Sequence, residues 1–395
     1  MYEIFFYSII FTLSLVFYLF IPGIGAILSI NKWRTFRKHL LDYTKLPIID
    51  YSLLNELKNK PSKAFRFFGK LEALEGKKSI WVKNKLLTLQ VEIDKSRIYL
   101  MPSHKSDNNQ SEEIHLDQEN SQTKWQKIYS MSEGTQVFIA GTCKNIGGQG
   151  IFYDTPEKPL ITIFYNGNNH ELLKNVLYGA RQKNEYWNNL TPFSLIFGFL
   201  SHLILAYFLI SSTPYRFFAL YSLGMGLLPV TLILPPGILL FWIFQSFWNR
   251  SRIYRTKRDL CRHPSTYFDQ NTDWNSMENL ECHLPDGHHY LAIRLHNEKA
   301  ADHLFTGSPE IIDSESSKNP EFLLGQPVQI GPYTKLKLPD DPMVPFVLFK
   351  GNPEENINSY HSKSQLYALW GIISIIADVF LNLVIIFFIL RLFFQ

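Results

Sequence analysis

The chain has 395 residues, a net charge of +4, 46% apolar residues and 19% charged ones. These averages describe a soluble protein, yet 31 Phe, 20 Tyr and 8 Trp are a heavy aromatic load for one. With only Cys143, Cys261 and Cys282, a disulfide framework, a four-cysteine zinc site and a RING-type site are all excluded.

The first element is a charge-free run over residues 4–31. About 20 mainly apolar residues cross the ~30 Å hydrocarbon layer, so the run predicts a transmembrane helix over 4–30. It lacks the basic start of a cleaved signal peptide and reads as a retained anchor. Lys32, Arg34, Arg37, Lys38 and Lys45 follow, against the single acid Asp42. Lys and Arg beside a span stay on the cytoplasmic side, which places residues 31–189 there.

This first cytoplasmic module reads as β-rich. Residues 71–82 pattern as strand, turn and strand, with Glu75 and Gly76 in the turn. Residues 103–124, rich in Ser, Asn, Gln and acids, cannot bury a core and are expected to be a mobile loop. Residues 134–141 and 158–168 read as further strands. The "GGQG" run at 147–150 lacks the Gly-Lys-Ser/Thr ending of a phosphate loop and reads as a hairpin turn.

Within 134–181, Gly134, Val137, Gly141, Gly150, Pro159 to Ile163, Glu171 to Leu173, Leu177, Ala180 and Arg181 form a pattern that ends just before a span. It resembles the GIDE-type domain of membrane E3 ubiquitin ligases, over roughly 65–212, with a degenerate second copy over 276–390. The resemblance implies a domain held between two membrane helices. In those ligases a RING carries the chemistry, and three cysteines cannot build one. The resemblance therefore implies architecture and membrane location, with ligase activity as an alternative function.

Two further charge-free runs, 186–215 and 217–249, predict transmembrane helices over 190–211 and 217–248. At 1.5 Å per residue the second would be overlong for one straight helix, and a break is expected near Pro235. Arg250, Arg252, Arg255, Lys257, Arg258 and Arg262 follow, so residues 249–363 form a second cytoplasmic module, with a mobile loop expected over 306–321. Its histidines, His263, His283, His288, His289, His296 and His303, match no standard zinc spacing, and no metal or cofactor is assigned. A last run, carrying only Asp378, predicts a helix over 366–391 and leaves both termini outside.

The halves repeat one another. Pro22-Gly23-Ile24 and Pro236-Gly237-Ile238 each precede a basic segment, and Asn31, Arg34, Phe36 and Arg37 recur as Asn249, Arg252, Tyr254 and Arg255. Residues 71–82, 134–141 and 158–168 resemble 280–293, 325–332 and 344–352 in turn. The expected fold is a multi-pass α-helical membrane protein of four spans with two cytoplasmic β-rich (α+β) modules, an internal duplication.

His202 and Asp378 fall mid-span, and ionisable groups there face protein rather than lipid. The repeat sets them at similar depth, so they are expected to meet, with Asn382 one turn from Asp378. The juxtamembrane residues Lys32, Arg34, Arg37, Lys38, Arg250, Arg252, Arg255, Lys257 and Arg258 orient the chain and suit anionic lipid. No catalytic constellation stands out, and the modest charge does not suggest nucleic acid. The expected function is a non-catalytic scaffold presenting both modules to a protein partner beside the bilayer. A small transporter using His202 and Asp378 is the second alternative.

Overall fold

The computed structural model describes residues 2–393 except 60, 76–77, 95, 103–118, 129–130, 234, 236, 269–273, 275–278, 296–303, 313–320 and 331–332. In chain order, helices α1 (Tyr2–Ser14), α2 (Ile21–Tyr43) and α3 (Tyr51–Glu56) come first. Strands β1 (Lys63–Glu75), β2 (Ser79–Lys83), β3 (Thr88–Glu92), β4 (Arg97–Leu100), β5 (Ser121–Thr123), β6 (Gln136–Ile146), β7 (Gln149–Tyr153) and β8 (Ile161–Tyr165) follow. Then come helices α4 (Leu172–Gly179), α5 (Thr191–Ile210), α6 (Arg216–Gly226) and α7 (Gly237–Ser265). Strands β9 (Asn279–His283), β10 (His289–Leu295), β11 (Phe305–Thr306), β12 (Glu310–Ile312), β13 (Glu321–Ile330), β14 (Tyr333–Lys337) and β15 (Val347–Lys350) lead into helix α8 (Pro353–Phe393).

The chain forms two compact units. One, helical and apolar, comprises Met1–Thr35, Gln182–Tyr254 and Ser362–Gln395. The other, β-rich, comprises Phe36–Arg181 and Arg255–His361. Both β-rich segments of the sequence therefore belong to a single body.

Among the described residues three helices are long and apolar enough to cross a membrane: Glu3–Tyr43, Thr191–Ile210 and Pro353–Ile389. The first is continuous through a π-helical turn at Leu15–Phe20. Pro22 explains the turn. It has no N–H for the Tyr18 carbonyl, and its ring crowds that carbonyl. The ladder slips by one residue, so the Ile21 N–H reaches Val16 O. Two carbonyls are left over, and α5 with its lead-in supplies their donors: the Ser194 hydroxyl donates to Phe17 O and the Tyr186 hydroxyl to Tyr18 O. Polar groups buried among apolar helices are thus satisfied, as a bilayer requires.

The run 217–248 departs from expectation. It is no single helix: α6 stops at Gly226, a 3-10 stretch covers Leu228–Ile233, and α7 starts at Gly237. The break begins well before Pro235. Pro229 disfavours a helical residue before it and cannot donate to the preceding turn, so the helix yields there first.

In the β-rich unit the first sheet has the order β1-β2-β3-β7-β6-β8-β4-β5, and β1 also pairs with β6. Strands β1, β2, β3, β7 and β6 consequently close a five-stranded ring. Only β3–β7 is parallel within it. This is the five-stranded Greek-key connectivity of an OB-type barrel. Phe67, Leu71, Ile80, Val82, Leu89, Val91, Ile139 and Phe152 fill its core. The β6–β7 hairpin turns on Gly147 and Gly148, both at positive φ, which a two-residue turn of this hand demands.

Part of the second sheet shares its pairing order with the first. β1–β6, β3–β7, β4–β8, β6–β7 and β6–β8 pair antiparallel, parallel, parallel, antiparallel and antiparallel. β10–β13, β11–β14, β12–β15, β13–β14 and β13–β15 pair in the same senses and the same chain order. A local device recurs as well. A Cβ on Gly141 would lie 3.0 Å from Leu160, just before β8, and one on Gly325 would lie 2.8 Å from Phe346, just before β15.

This pairing changes the sequence correspondence. Residues 280–293 match 71–82 by composition, but β10, after its turn, occupies the place of β1, before its own. By pairing order Gly325 lines up with Gly141 rather than with Gly134. Short alternating stretches look alike in any frame, whereas hydrogen-bond register admits one. Of the two expected loops, residues 103–118 and 313–320 lie outside the described residues. Their flanks are ordered strand: β5 in the first, β11 and β12 in the second.

Candidate functional site

Among the ionisable and amide side chains that the helical unit buries are His202, Asp378 and Asn382. His202 Nε2 lies 3.0 Å from Ser14 Oγ, and Nδ1 lies 3.3 Å from Ser222 Oγ. Ser222 Oγ also lies 2.9 Å from the His202 carbonyl and Ser14 Oγ 3.0 Å from Ile10 O, and the hydroxyl facing the ring's unprotonated nitrogen gives its single proton there instead. One ring therefore ties α1, α5 and α6 together. The Tyr18 hydroxyl reaches the carbonyl of Gly226, where α6 ends, at 3.2 Å.

Asp378 is not the partner of His202. Both ring nitrogens are occupied by serine hydroxyls, and Asp378 Oδ1 instead accepts Asn382 Nδ2 at 2.6 Å. The expected Asp378–Asn382 neighbourhood is present, and the expected His202–Asp378 pair is not. Ser14 and Ser222 were invisible as partners because serine is common in apolar helices and its sequence context is silent about what it faces. Asp378 Oδ2 is buried and has no hydrogen-bond partner among the described residues.

The basic residues divide by surroundings. Lys32, Arg34, Lys38, Arg250 and Lys257 are exposed, and Arg37, Arg255 and Arg258 are partly buried. Arg252 is buried and donates to Asn249 Oδ1 at 3.3 Å. Arg181, outside the sequence-derived set, is buried and pairs with Asp259.

A second buried network lies within the β-rich unit. Arg66 of β1 donates from Nη1 and Nη2 to the two carboxylate oxygens of Asp341, at 3.1 and 2.5 Å, and from Nε to Leu46 O at 2.6 Å. The two side chains are 0% and 1% exposed. Asp341 Oδ1 also accepts the Met343 N–H at 2.9 Å, and His263 Nε2 lies 3.1 Å from Met343 O. Burial pushes the His263 imidazole down to about 4, against a raising effect from that carbonyl. Neither Arg66 nor Asp341 carried a sequence signal, since a charged residue in a strand ordinarily faces water.

Two clefts open on this unit. One of about 730 Å³ is lined by Leu53, Glu56, Lys63, Thr155, Glu157 and Lys158 among others. A second of about 550 Å³ is lined by Phe68, Lys70, Glu72, Lys85, Glu133 and Tyr165 among others. Neither lining includes a His or a Cys. Elsewhere His283 and His289 face each other across the β9–β10 hairpin, with ring centroids 4.5 Å apart, and His289 pairs with Glu281. His296 and His303 lie outside the described residues. Among the described residues no three His, Cys, Asp or Glu side chains are grouped to hold a metal ion. Burial pushes the Cys143 and Cys261 thiols up to about 12, so neither is a ready thiolate nucleophile.

No protein-family model matches this chain, and neither a curated protein nor a solved structure is similar to it.

Proposed function

We propose that the protein is a membrane-anchored, non-catalytic scaffold that presents one double β body to a protein partner beside the bilayer. The Arg66–Asp341 pair carries this reading. It joins the segments before and after α5 inside one buried contact. Two parts of one folded body share one side of a membrane, so the chain between them crosses an even number of times. If α5 crosses, the broken stretch over 217–248 supplies the return, giving four crossings. The basic residues after the first and third runs then set both β segments in the cytoplasm and both termini outside.

The recurrent strand pairings favour an internal duplication, and a GIDE-like origin remains part of the proposal through the residues of 134–181. Anchoring at several points restricts the body's orientation and raises its local concentration for a membrane-bound partner. Of the surfaces described, the larger cleft is the best candidate contact.

The test is photo-crosslinking in native membranes from Glu157, an exposed residue of that cleft. The scaffold reading expects one discrete protein adduct, absent when the crosslinker is moved to exposed Lys85. No adduct from the cleft, with ubiquitin transfer by the purified chain, would instead favour the ligase alternative. A second reading rests on Asp378, whose Oδ2 is buried and has no hydrogen-bond partner among the described residues. Intramembrane carboxylates of that kind serve proton and ion pathways. Proton flux in liposomes that disappears in Asp378→Asn would establish a transporter.

A further inference from the structure

The register of the β9–β10 hairpin decides what its outer face presents. The turn closes through the Leu284 N–H to His288 O at 2.8 Å and the Gly287 N–H to Leu284 O at 2.9 Å. Gly287 sits at φ +83°, a conformation glycine adopts without strain, and Asp286 Oδ1 accepts the His288 N–H at 3.1 Å. Leu284 and His288 are thus a hydrogen-bonded pair. The next pair out, His283 and His289, is directly opposed and belongs to the non-bonded kind, whose side chains stand closest. Their ring centres are 4.5 Å apart and the ring planes are inclined by 62°.

Glu281 lies two residues before His283, on the same face of the strand, and accepts from His289 Nδ1. In the neutral ring this bond fixes the proton on Nδ1 and leaves the lone pair on Nε2. All three side chains are exposed, His289 to 51% and Glu281 to 54%. An ion pair this open contributes only ~0–1 kcal/mol, so stability gives little reason for the arrangement.

Metal chemistry gives a better one. Two imidazoles bound to one ion at about 2.0–2.1 Å, roughly at right angles, bring their ring centres to about 4.5 Å. A carboxylate on the far nitrogen is the usual support of a metal-binding histidine, since it sets the tautomer and raises the basicity of the ligand. The tight turn holds the pair in place before an ion arrives. Two protein donors are fewer than a closed structural site has, so water fills the remaining positions. Strand β9 ends the strand order of its sheet, which leaves the pair at an edge. Imidazole nitrogen suits copper, nickel and zinc, whereas magnesium and calcium take oxygen.

We propose that His283 and His289, oriented by Glu281, form an open binding site for a first-row divalent metal ion of the copper, nickel and zinc class. It does not depend on the scaffold reading.

Full-length protein without an affinity tag is purified in neutral detergent and stripped with a chelator. It is then dialysed against Cu²⁺, Ni²⁺, Zn²⁺ or Mg²⁺, and the bound metal is counted. The site predicts saturable binding of the first three, tightest for Cu²⁺, and none of Mg²⁺. Electron paramagnetic resonance of the first equivalent of Cu²⁺ should show two nitrogen ligands. Glu281→Gln keeps both donors and should weaken binding by about 10–100-fold, and His283→Ala and His289→Ala, which each remove a ligand, by at least as much. Either histidine variant should also lose one nitrogen from the spectrum. His288→Ala, exposed in the same turn, leaves both readouts unchanged. Glu281→Gln keeps the test decisive if a histidine variant folds poorly. Fewer than two nitrogens on the wild-type ion, wild-type affinity in any of the three variants, or an equal loss in His288→Ala would overturn the proposal.

Discussion

Arg66 and Asp341 stand 275 residues apart in the chain and meet through two hydrogen bonds, with both side chains sealed from solvent. The pair joins the barrel strand β1 to the loop between β14 and β15. A buried ion pair adds little net stability over apolar residues of like size, because both charges must leave water. Removing one partner is different, since the other is left buried and uncompensated.

Arg66→Met alone and Asp341→Leu alone should therefore each lower the stability of the β-rich unit by about 3–5 kcal/mol, while the double variant recovers most of the loss. Chemical denaturation of the three variants, followed by intrinsic fluorescence, measures both effects. Additive losses in the double variant would show that the two residues do not act as a pair.

The same network makes stability depend on pH. His263 is held neutral in the folded state, with its pKa lowered from 6.5 to about 4 by burial. Beyond the Met343 carbonyl it faces Tyr267, Lys45, Arg66 and Asp341. Above pH 6.5 both folded and unfolded chains carry the neutral ring, and no penalty arises. Below it the unfolded chain takes up a proton that the folded chain refuses. Stability should fall between about pH 6.5 and 4, by roughly 3 kcal/mol in all from this residue. His263→Phe should flatten that part of the profile, and an unchanged slope would contradict the assignment.

In the helical unit His202 and Asp378 should behave independently. His202→Leu loses its two serine contacts and should cost about 1 kcal/mol, given the modest worth of hydrogen bonds between membrane helices. Ser14→Ala and Ser222→Ala should each cost less. Asp378→Leu combined with His202→Leu should be additive, because no bond links the two. A double-mutant cycle on detergent unfolding midpoints gives the coupling directly, and a coupling above about 0.5 kcal/mol would restore the pair.

Much of this organisation is legible along the chain because bilayer and barrel chemistry leave periodic marks. Charge-free runs of the required length mark the three long helices, and Gly147-Gly148 marks its hairpin. The break after Gly226 comes earlier than Pro235-Pro236 suggests, because Pro229 already ends the helix. The likeness of the halves in sequence does not coincide with their likeness in strand pairing, since alternating apolar residues fit several registers and only pairing fixes one. The sites were least legible. His202 and Asp378 stand out as polar residues in apolar runs, but their partners are set by packing of distant helices. Arg66, Arg181 and Asp341 look like ordinary surface charges until the fold buries them.

The central claim is that both β-rich segments lie on one side of a membrane, and labelling decides it most directly. Lys85 and Ser308 are exposed, one in each segment, whereas Cys143 and Cys261 are buried. In a Cys282→Ser background, Lys85→Cys and Ser308→Cys are treated separately with a membrane-impermeant maleimide, on sealed vesicles of known orientation. The account predicts that both react from the same, cytoplasmic face and neither from the other. Reaction of the two from opposite faces would mean an odd number of crossings between them, and would contradict the account.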